Sequence, residues 1–97
     1  HRARHRVRMF EYRTARKVTS DGSVTDELLK ELYSTERCYY CSEVTPRDLR
    51  TIDHKVPLAK GGTHTKNNLV TACWTCNCSK RDMSEAEFIE RIKHGTN

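Results

Sequence analysis

The sequence predicts a small α+β domain that is organised around a four-cysteine zinc site and flanked by helices. The first observation is composition: 97 residues, of which only 35% are hydrophobic and 32% are charged, give a thin core. Domains of this size often need a metal or a disulfide to stay folded. The second observation is a pair of Cys-x-x-Cys motifs with 31 residues between them. The third is the alternation of short helix and strand patterns around these motifs.

The N-terminal segment, residues 1–22, is predicted to be a basic arm that precedes a folded domain over residues 23–97. Residues 1–17 hold seven Arg or Lys and one Glu, whereas the remaining 80 residues hold eleven basic and twelve acidic residues. Apolar residues recur in the arm at helical spacing. A basic helix of this kind is suited to contact a DNA phosphate backbone, and a solvated tail or a contact for an acidic protein is the alternative. The residues expected to contact phosphate are Arg4, Arg8, Arg13 and Arg16.

The segment that follows the arm is predicted to form a helix and then a strand. Thr25 is a good N-cap, and leucines recur on one face of the helix expected over about residues 26–34. The first cysteine pair then favours a tight turn between short strands. Residues 49–53 have the pattern of a strand, and we expect Ile52 to face inward.

The C-terminal half is predicted to contain a long loop and two helices. Pro57 and a Gly-Gly pair after it favour a loop. A short helix is expected to begin near residue 75. Ser84 and Glu87 have the spacing of a capping box, which predicts a last helix over about residues 85–94.

The two cysteine pairs predict a structural zinc site. Each Cys-x-x-Cys turn lets two thiolates reach one ion, and zinc favours four sulfur or nitrogen ligands. Cys78 competes with Cys76 as a ligand because it lies two residues further on; we favour Cys76 and expect Cys78 to pack in the interior. A closed four-thiolate site has no open position, so no chemistry is expected there. The predicted ligands are Cys38, Cys41, Cys73 and Cys76.

The cysteine count and the hydropathy bear on location. Five cysteines are an odd number, which argues against a simple disulfide framework. Metal-type spacing without a signal-peptide pattern favours a reducing compartment, so we expect a cytoplasmic protein. No apolar run approaches the roughly 18 residues of a membrane span, so no membrane partner is expected.

A second group of residues has the chemistry of an open metal site beside a base. Asp53 and His54 lie between the cysteine pairs, and Asn77 directly follows Cys76. On an extended segment, neighbouring side chains point to opposite faces, so a local bend near Pro57 is needed for Asp53 and His54 to act together. Carboxylate and amide oxygens suit Mg²⁺ or Mn²⁺, and a neutral histidine can accept a proton from water.

This arrangement resembles the HNH endonuclease family, of the zinc-containing ββα-metal (His-Me finger) type. The resemblance covers about residues 38–80, just under half of the chain, and the basic arm is similar to that of small stand-alone phage members. It is carried by the two cysteine pairs, Asp53-His54-x-x-Pro57-Leu58-x-x-Gly61-Gly62, Asn68-Leu69 and Asn77-x-x-Lys80.

The resemblance implies a metal-dependent DNA endonuclease that leaves a 3′-hydroxyl and a 5′-phosphate. It implies that His54 is the general base, and that Asp53 and Asn77 hold the catalytic divalent ion. It also implies that Asn68 braces the loop and orients His54 through backbone hydrogen bonds, with Asn67 as the alternative to Asn68. Asn77 stands where the family motif ends in histidine, and its weaker oxygen donor favours Mg²⁺ or Mn²⁺ over zinc.

Several neighbouring residues are given minor roles. Lys80 and Arg81, one turn after Asn77, are expected to contact phosphates, with an ordinary solvated helix face as the alternative. His64 is expected to be an exposed loop histidine, with an approach to the site as the alternative. Trp74 is expected to pack in the small core, with stacking on a base as the alternative.

Three functions compete at this stage. The first is an endonuclease of low sequence specificity that nicks DNA or cuts both strands. The second is a non-catalytic zinc-ribbon module that binds nucleic acid or protein, although such a module has no use for Asp53, His54, Asn68 and Asn77 together. The third, by family analogy, is a nuclease that needs a phage packaging or restriction partner in a bacterial or phage-infected cell. The sequence does not indicate the oligomeric state.

Overall fold

The computed structural model describes residues 16–95 and confirms the predicted small α+β fold. Residues 16–19 are helical. Short 3₁₀ helices lie at Arg47–Leu49, Leu58–Lys60 and Lys66–Asn68. The main elements are α1 (Asp26–Tyr33), β1 (Arg50–His54), β2 (Leu69–Cys73), α2 (Trp74–Lys80) and α3 (Glu85–Lys93).

The two strands pair antiparallel, and α2 follows β2 directly, so the centre of the domain has a ββα order. The register pairs Arg50 with Cys73 and His54 with Leu69. Cys73 and His54 therefore lie at opposite ends of the sheet, separated by about 13 Å at the usual rise per strand residue. A cysteine cluster at one end and a histidine at the other are held apart by one rigid hairpin.

The helix ends follow from local side-chain chemistry. The Thr25 hydroxyl accepts a hydrogen bond from the backbone N–H of Leu28 at 3.1 Å and begins α1, as the sequence predicts. Ser84 and Glu87 form the predicted capping box of α3. Each cap satisfies a backbone N–H group that has no partner inside the helix.

The core is small and includes metal-type ligands. Cys38, Ala72, Cys76 and Phe88 form one buried cluster. Two expected core residues lie outside it: the side chain of Trp74 is 59% exposed, and Cys78 is exposed. Both lie on α2 at positions away from the sheet, because Cys76 and Lys80 occupy its inner face.

The inward residue of β1 is Asp53, so the prediction for Ile52 is wrong. Ile52 is only half-buried, whereas Asp53 is 7% exposed. The carboxylate is tolerated inside because the ammonium group of Lys80 lies against it. A buried charge of one sign is stable when the opposite charge is paired with it.

None of the helices within residues 16–95 is long and apolar enough to cross a membrane. The phosphate contacts predicted for Arg4, Arg8 and Arg13 lie outside the described residues. The last part of the arm does contact the domain: the hydroxyl of Thr19 accepts a hydrogen bond from the backbone N–H of His64.

Candidate functional site

The four predicted cysteines converge on one point. The sulfurs of Cys38, Cys41, Cys73 and Cys76 all lie within 4.8 Å of one another, and those of Cys41 and Cys73 are 4.0 Å apart. Four thiolates around one tetrahedral zinc lie about 3.8 Å apart, given the usual Zn–S bond length. The cluster can therefore hold a metal ion. Cys78 is not part of it.

Backbone N–H groups point to two of the sulfurs and favour the thiolate form of Cys38, whereas burial raises the pKa of Cys41 and of Cys76. The N–H of Tyr40 points to Cys38 Sγ at 3.4 Å, and that of Cys76 to Cys73 Sγ at 3.3 Å. Burial opposes ionisation of Cys38, but backbone hydrogen bonds from Cys41, Cys73 and Tyr40 outweigh it and lower its pKa to about 7. Such donors are typical of a thiolate metal site, because they stabilise negative charge on sulfur.

At the other end of the sheet, Asp53, Lys80 and Tyr40 form a buried polar network. The Lys80 ammonium lies 3.1 Å from Asp53 Oδ2 and donates to the carbonyl oxygen of His54 at 3.0 Å. The Tyr40 hydroxyl donates to the same carboxylate oxygen at 2.5 Å. Burial, and then this hydrogen bond, raise the pKa of Tyr40, so it remains a donor. The network fixes both the carboxylate and the backbone of the residue after it.

The phosphate contact predicted for Lys80 is wrong, and so is the alternative of a solvated helix face. The side chain of Lys80 is 0% exposed, on the inner face of α2. A lysine that is enclosed and paired with a carboxylate cannot reach a phosphate on the surface. Arg81, by contrast, is exposed, and it lines the cleft that also contains Asp53 and His54.

Asp53, His54 and Asn77 line one cleft of about 380 Å³. The side-chain nitrogen of Asn77 donates to Thr51 Oγ1 at 2.9 Å, and Thr51 in turn donates to the carbonyl of Ala72 at 2.8 Å. The sheet therefore holds the Asn77 amide by its nitrogen, and among the described residues its oxygen has no hydrogen-bond donor. The chain thus brings together the three residues that the sequence predicted.

The donor set of the cleft suits a hard divalent cation. The carboxylate of Asp53 has about four lone-pair positions, and the two protein groups that bind it use only part of them. The amide oxygen of Asn77 can supply a second ligand, which is neutral. Oxygen donors of this kind suit Mg²⁺ or Mn²⁺.

Asn68 closes the loop that follows β1. Its side-chain oxygen accepts from the backbone N–H of Val56 at 3.0 Å, and its nitrogen donates to the carbonyls of Val56 at 2.9 Å and Thr63 at 2.8 Å. Its own carbonyl accepts from Lys55. One side chain therefore joins the start and the end of the loop.

The loop brings His64 onto His54, which was the less favoured alternative for this residue. His54 Nε2 and His64 Nδ1 are 3.0 Å apart, and both rings are half-buried. The expectation of an exposed loop histidine is therefore wrong. The only signal in the sequence was the Gly61-Gly62 pair, which permits a tight return of the chain.

The environment of His54 keeps its ring neutral near pH 7. Burial, and then the nearby charge of His64, lower the pKa of His54, while Asp53 opposes this shift. A neutral imidazole is the form that can accept a proton from water.

We expect Gly62→Ala to lower stability by about 3 kcal/mol, at the upper end for overpacking, because a Cβ there would lie 1.8 Å from the carbonyl oxygen of Val56. Gly61→Ala is the matched control. Gly61 has a positive φ of 87°, but a Cβ there meets nothing within 4 Å, so strain alone should cost about 1 kcal/mol. Urea unfolding of both variants measures the difference. Equal losses of unfolding free energy in the two variants would show that the backbone near Val56 shifts to accommodate the added Cβ at little energetic cost.

Comparison with known proteins gives a matching family model and a similar solved structure. The sequence model of the family described as HNH endonuclease matches residues 38–93. No protein of curated function matches the chain in sequence. Among solved structures, the chain is similar to the Type II-C Cas9 enzyme from Actinomyces naeslundii, with a TM-score of 0.57 and 26% sequence identity. The match covers 93% of this chain and 10% of that one, so this chain spans about a tenth of the length of that enzyme.

Proposed function

Because the chain belongs to the HNH endonuclease family, we propose that it is a metal-dependent DNA endonuclease with His54 as its general base. The observation that supports this proposal most directly is the cleft in which His54 lies beside Asp53 and Asn77. A half-buried, neutral histidine next to two oxygen ligands is an arrangement that can hydrolyse a phosphodiester.

Two different ions fit the two ends of the hairpin. The four-cysteine cluster is proposed to hold a structural Zn²⁺, because its ligands are all sulfur and leave no open position. Asp53 and Asn77 are proposed to hold Mg²⁺ or Mn²⁺. When bound, such a cation supplies Lewis-acid stabilisation of the negative charge that develops on the leaving oxygen.

The protein side chains perform the remaining steps. His54 takes a proton from water, whose oxygen attacks phosphorus in line with the 3′ oxygen that leaves. The bond from phosphorus to that oxygen breaks, and the oxygen takes a proton from solvent water, which leaves a 3′-hydroxyl and a 5′-phosphate. Lys80 and Tyr40 hold the carboxylate of Asp53 in place throughout. Asn68 holds the loop that returns to the cleft.

Basic residues on two sides of the cleft are proposed to contact DNA. Arg81 lines the cleft itself. Arg16 lies near the histidine pair, where its charge contributes to the lowered pKa of both His54 and His64. Phosphate contacts by Arg4, Arg8 and Arg13 are proposed from the sequence of the arm. Contacts to phosphate alone carry no sequence information, which is why we propose low specificity.

The organisation of the chain is proposed to be a basic arm over residues 1–22 and a nuclease domain over residues 23–97. The similarity to a tenth of a Cas9 enzyme supports a nuclease unit that can operate beside other domains. A phage packaging or restriction protein is the proposed class of partner, on family analogy alone.

Replacing His54 by alanine tests the proposal. With supercoiled plasmid and added Mg²⁺ or Mn²⁺, we expect the wild-type chain to produce nicked or linear DNA, and His54→Ala to lose about 100- to 10,000-fold in rate. His94→Ala is the matched control, because His94 is an exposed histidine that pairs with Glu90 on α3. Buffer without added divalent cation should stop cleavage and leave the fold intact.

Two outcomes would contradict the proposal. A folded, metal-loaded wild-type chain that binds the plasmid without cutting it would favour the non-catalytic binding module. Cleavage that survives His54→Ala would mean that another group is the base.

A further inference from the structure

The contact between His54 and His64 restricts the protonation of the two rings. Nε2 of His54 and Nδ1 of His64 are 3.0 Å apart, and the ring centroids are 5.3 Å apart with planes inclined by 45°. The rings are therefore not stacked, and the two nitrogens are at hydrogen-bond distance. One of the two nitrogens donates its N–H, and the other accepts this hydrogen bond.

Only one of the two arrangements leaves His54 able to act as a base. A neutral imidazole has one N–H and one lone pair. If His64 donated, the lone pair of His54 Nε2 would be occupied and its proton would be on Nδ1, so no nitrogen of His54 could take a proton. If His54 donates from Nε2, its Nδ1 keeps the lone pair. The first arrangement is therefore incompatible with the proposed role of His54.

We propose that His64 is a positioning residue for the reaction: its Nδ1 accepts the Nε2–H of His54 and so holds His54 in the tautomer whose Nδ1 takes the proton from water. This inference rests on the proposed function of His54. When water gives up its proton, His54 becomes an imidazolium, and its Nε2–H remains bound to His64. Hydrogen bonds from a charged donor are stronger than those from a neutral one, so the contact strengthens as the reaction proceeds.

The fold holds His64 in this place from three directions. The backbone N–H of His64 donates to Thr19 Oγ1 at 3.0 Å. The carbonyl of Thr63, the residue before it, accepts from the side chain of Asn68 at 2.8 Å. The N–H of Gly62 donates to the carbonyl of Pro57 at 2.9 Å. These contacts join the His64 segment to the arm, to the residue before β2 and to the chain that follows β1.

This arrangement also gives Asn68 and the arm a role in the same contact. Asn68 aligns the loop so that His64 reaches His54, which links the asparagine of the motif to the base through a side chain as well as through backbone. Thr19 anchors the residue from the opposite side. The position of His64, the acceptor for His54, is therefore fixed by segments that are far apart in sequence.

The test compares His64→Ala with His64→Asn in the full chain, loaded with Zn²⁺ at the cysteines. The side-chain oxygen of asparagine lies close to where Nδ1 of histidine lies, so it retains an acceptor, whereas alanine removes it. We expect His64→Ala to lose about 10- to 100-fold in single-turnover plasmid cleavage, the loss of one hydrogen bond to a charged group. His64→Asn should recover most of this loss. Thr65→Ala, in the same loop, should cleave as wild type does.

A second readout does not depend on cleavage. ¹⁵N NMR of histidine-labelled protein, without added Mg²⁺ or Mn²⁺, reports which nitrogen of His54 carries the proton. We expect the Nε2–H form in wild type and in His64→Asn, and a mixture of both forms in His64→Ala. An Nδ1–H form in wild type would overturn the inference, and so would an unchanged tautomer with an unchanged rate in His64→Ala.

The two readouts separate failure of this inference from failure of the proposed function. If wild type cleaves and His64→Ala cleaves equally well, the nuclease assignment is supported and the positioning role of His64 is rejected. If wild type does not cleave but the His54 tautomer still depends on His64, the contact is supported and the nuclease assignment falls.

Discussion

Removal of the metal from the four-cysteine cluster is expected to unfold the chain. Two of its ligands, Cys38 and Cys76, belong to the buried core cluster together with Ala72 and Phe88. The cluster therefore supplies much of the interior as well as a crosslink. Structural zinc in small peptides contributes roughly 10–16 kcal/mol at neutral pH, whereas the whole stability of a domain is about 5–15 kcal/mol. The free energy that is lost with the metal is therefore expected to match or exceed the whole free energy of unfolding of the domain.

Cys38→Ser and a strong chelator should both produce this loss, measured as disappearance of the helical circular dichroism signal and of the calorimetric transition. Cys78→Ser is the matched control, since Cys78 is exposed and lies outside the cluster. It should keep one metal ion per chain and the wild-type melting temperature. A chelated chain that melts as the loaded one does would show that hydrophobic burial is sufficient for the fold.

Lys80→Met is expected to lower the free energy of unfolding by about 3–5 kcal/mol, the usual cost of removing one partner of a buried ion pair. The variant keeps the apolar stem but removes the ammonium that faces Asp53 and the carbonyl of His54. The carboxylate then remains buried with the Tyr40 hydroxyl as its donor. Urea unfolding measures the effect, and the midpoint should fall without a change of slope.

Lys60→Met is the matched control for that experiment. Lys60 donates to Glu87 at 2.9 Å, but the two side chains are 41% and 52% exposed. An ion pair in solvent contributes only about 0–1 kcal/mol. The double variant Lys80→Met, Asp53→Asn should lower the free energy of unfolding by less than the sum of the losses in the two single variants, because the two residues interact directly. Equal losses at Lys60 and Lys80 would show that burial does not strengthen the pair.

The sequence predicted the parts of this fold that depend on local chemistry. Thr25 and the Ser84–Glu87 pair cap their helices as expected, and the cysteine spacing alone predicted a metal cluster. The caps and each Cys-x-x-Cys turn depend on residues a few positions apart, and the repeat of the same motif indicates that the two cysteine pairs share one ion. The contact of Lys80 with Asp53 joins positions 27 residues apart, and hydrophobic periodicity treats both as surface residues. The inward residue of β1 was misplaced for the same reason.

The histidine pair shows a second limit of the same kind. A loop histidine has no periodic pattern, and nothing local to His64 indicates that Asn68 and Thr19 bring it to His54. Trp74 and Cys78 were expected inside because of their residue types, yet α2 is short and its inner face is taken by Cys76 and Lys80. Which face of a short helix is buried depends on what the sheet presents to it.

Helix α2 begins at the four-cysteine cluster and ends at the ion pair of Lys80 with Asp53. This single seven-residue helix therefore sets the direction of Lys80 around the helix axis relative to that of Cys76. Cys76 faces the cluster, Asn77 the cleft and Lys80 the buried carboxylate. Each residue of an α-helix advances by about 100° around the axis. One residue inserted or deleted between Cys76 and Lys80 would turn the far end away from the cleft while the near end stayed anchored. The length of this segment is therefore under a constraint that no single substitution would reveal.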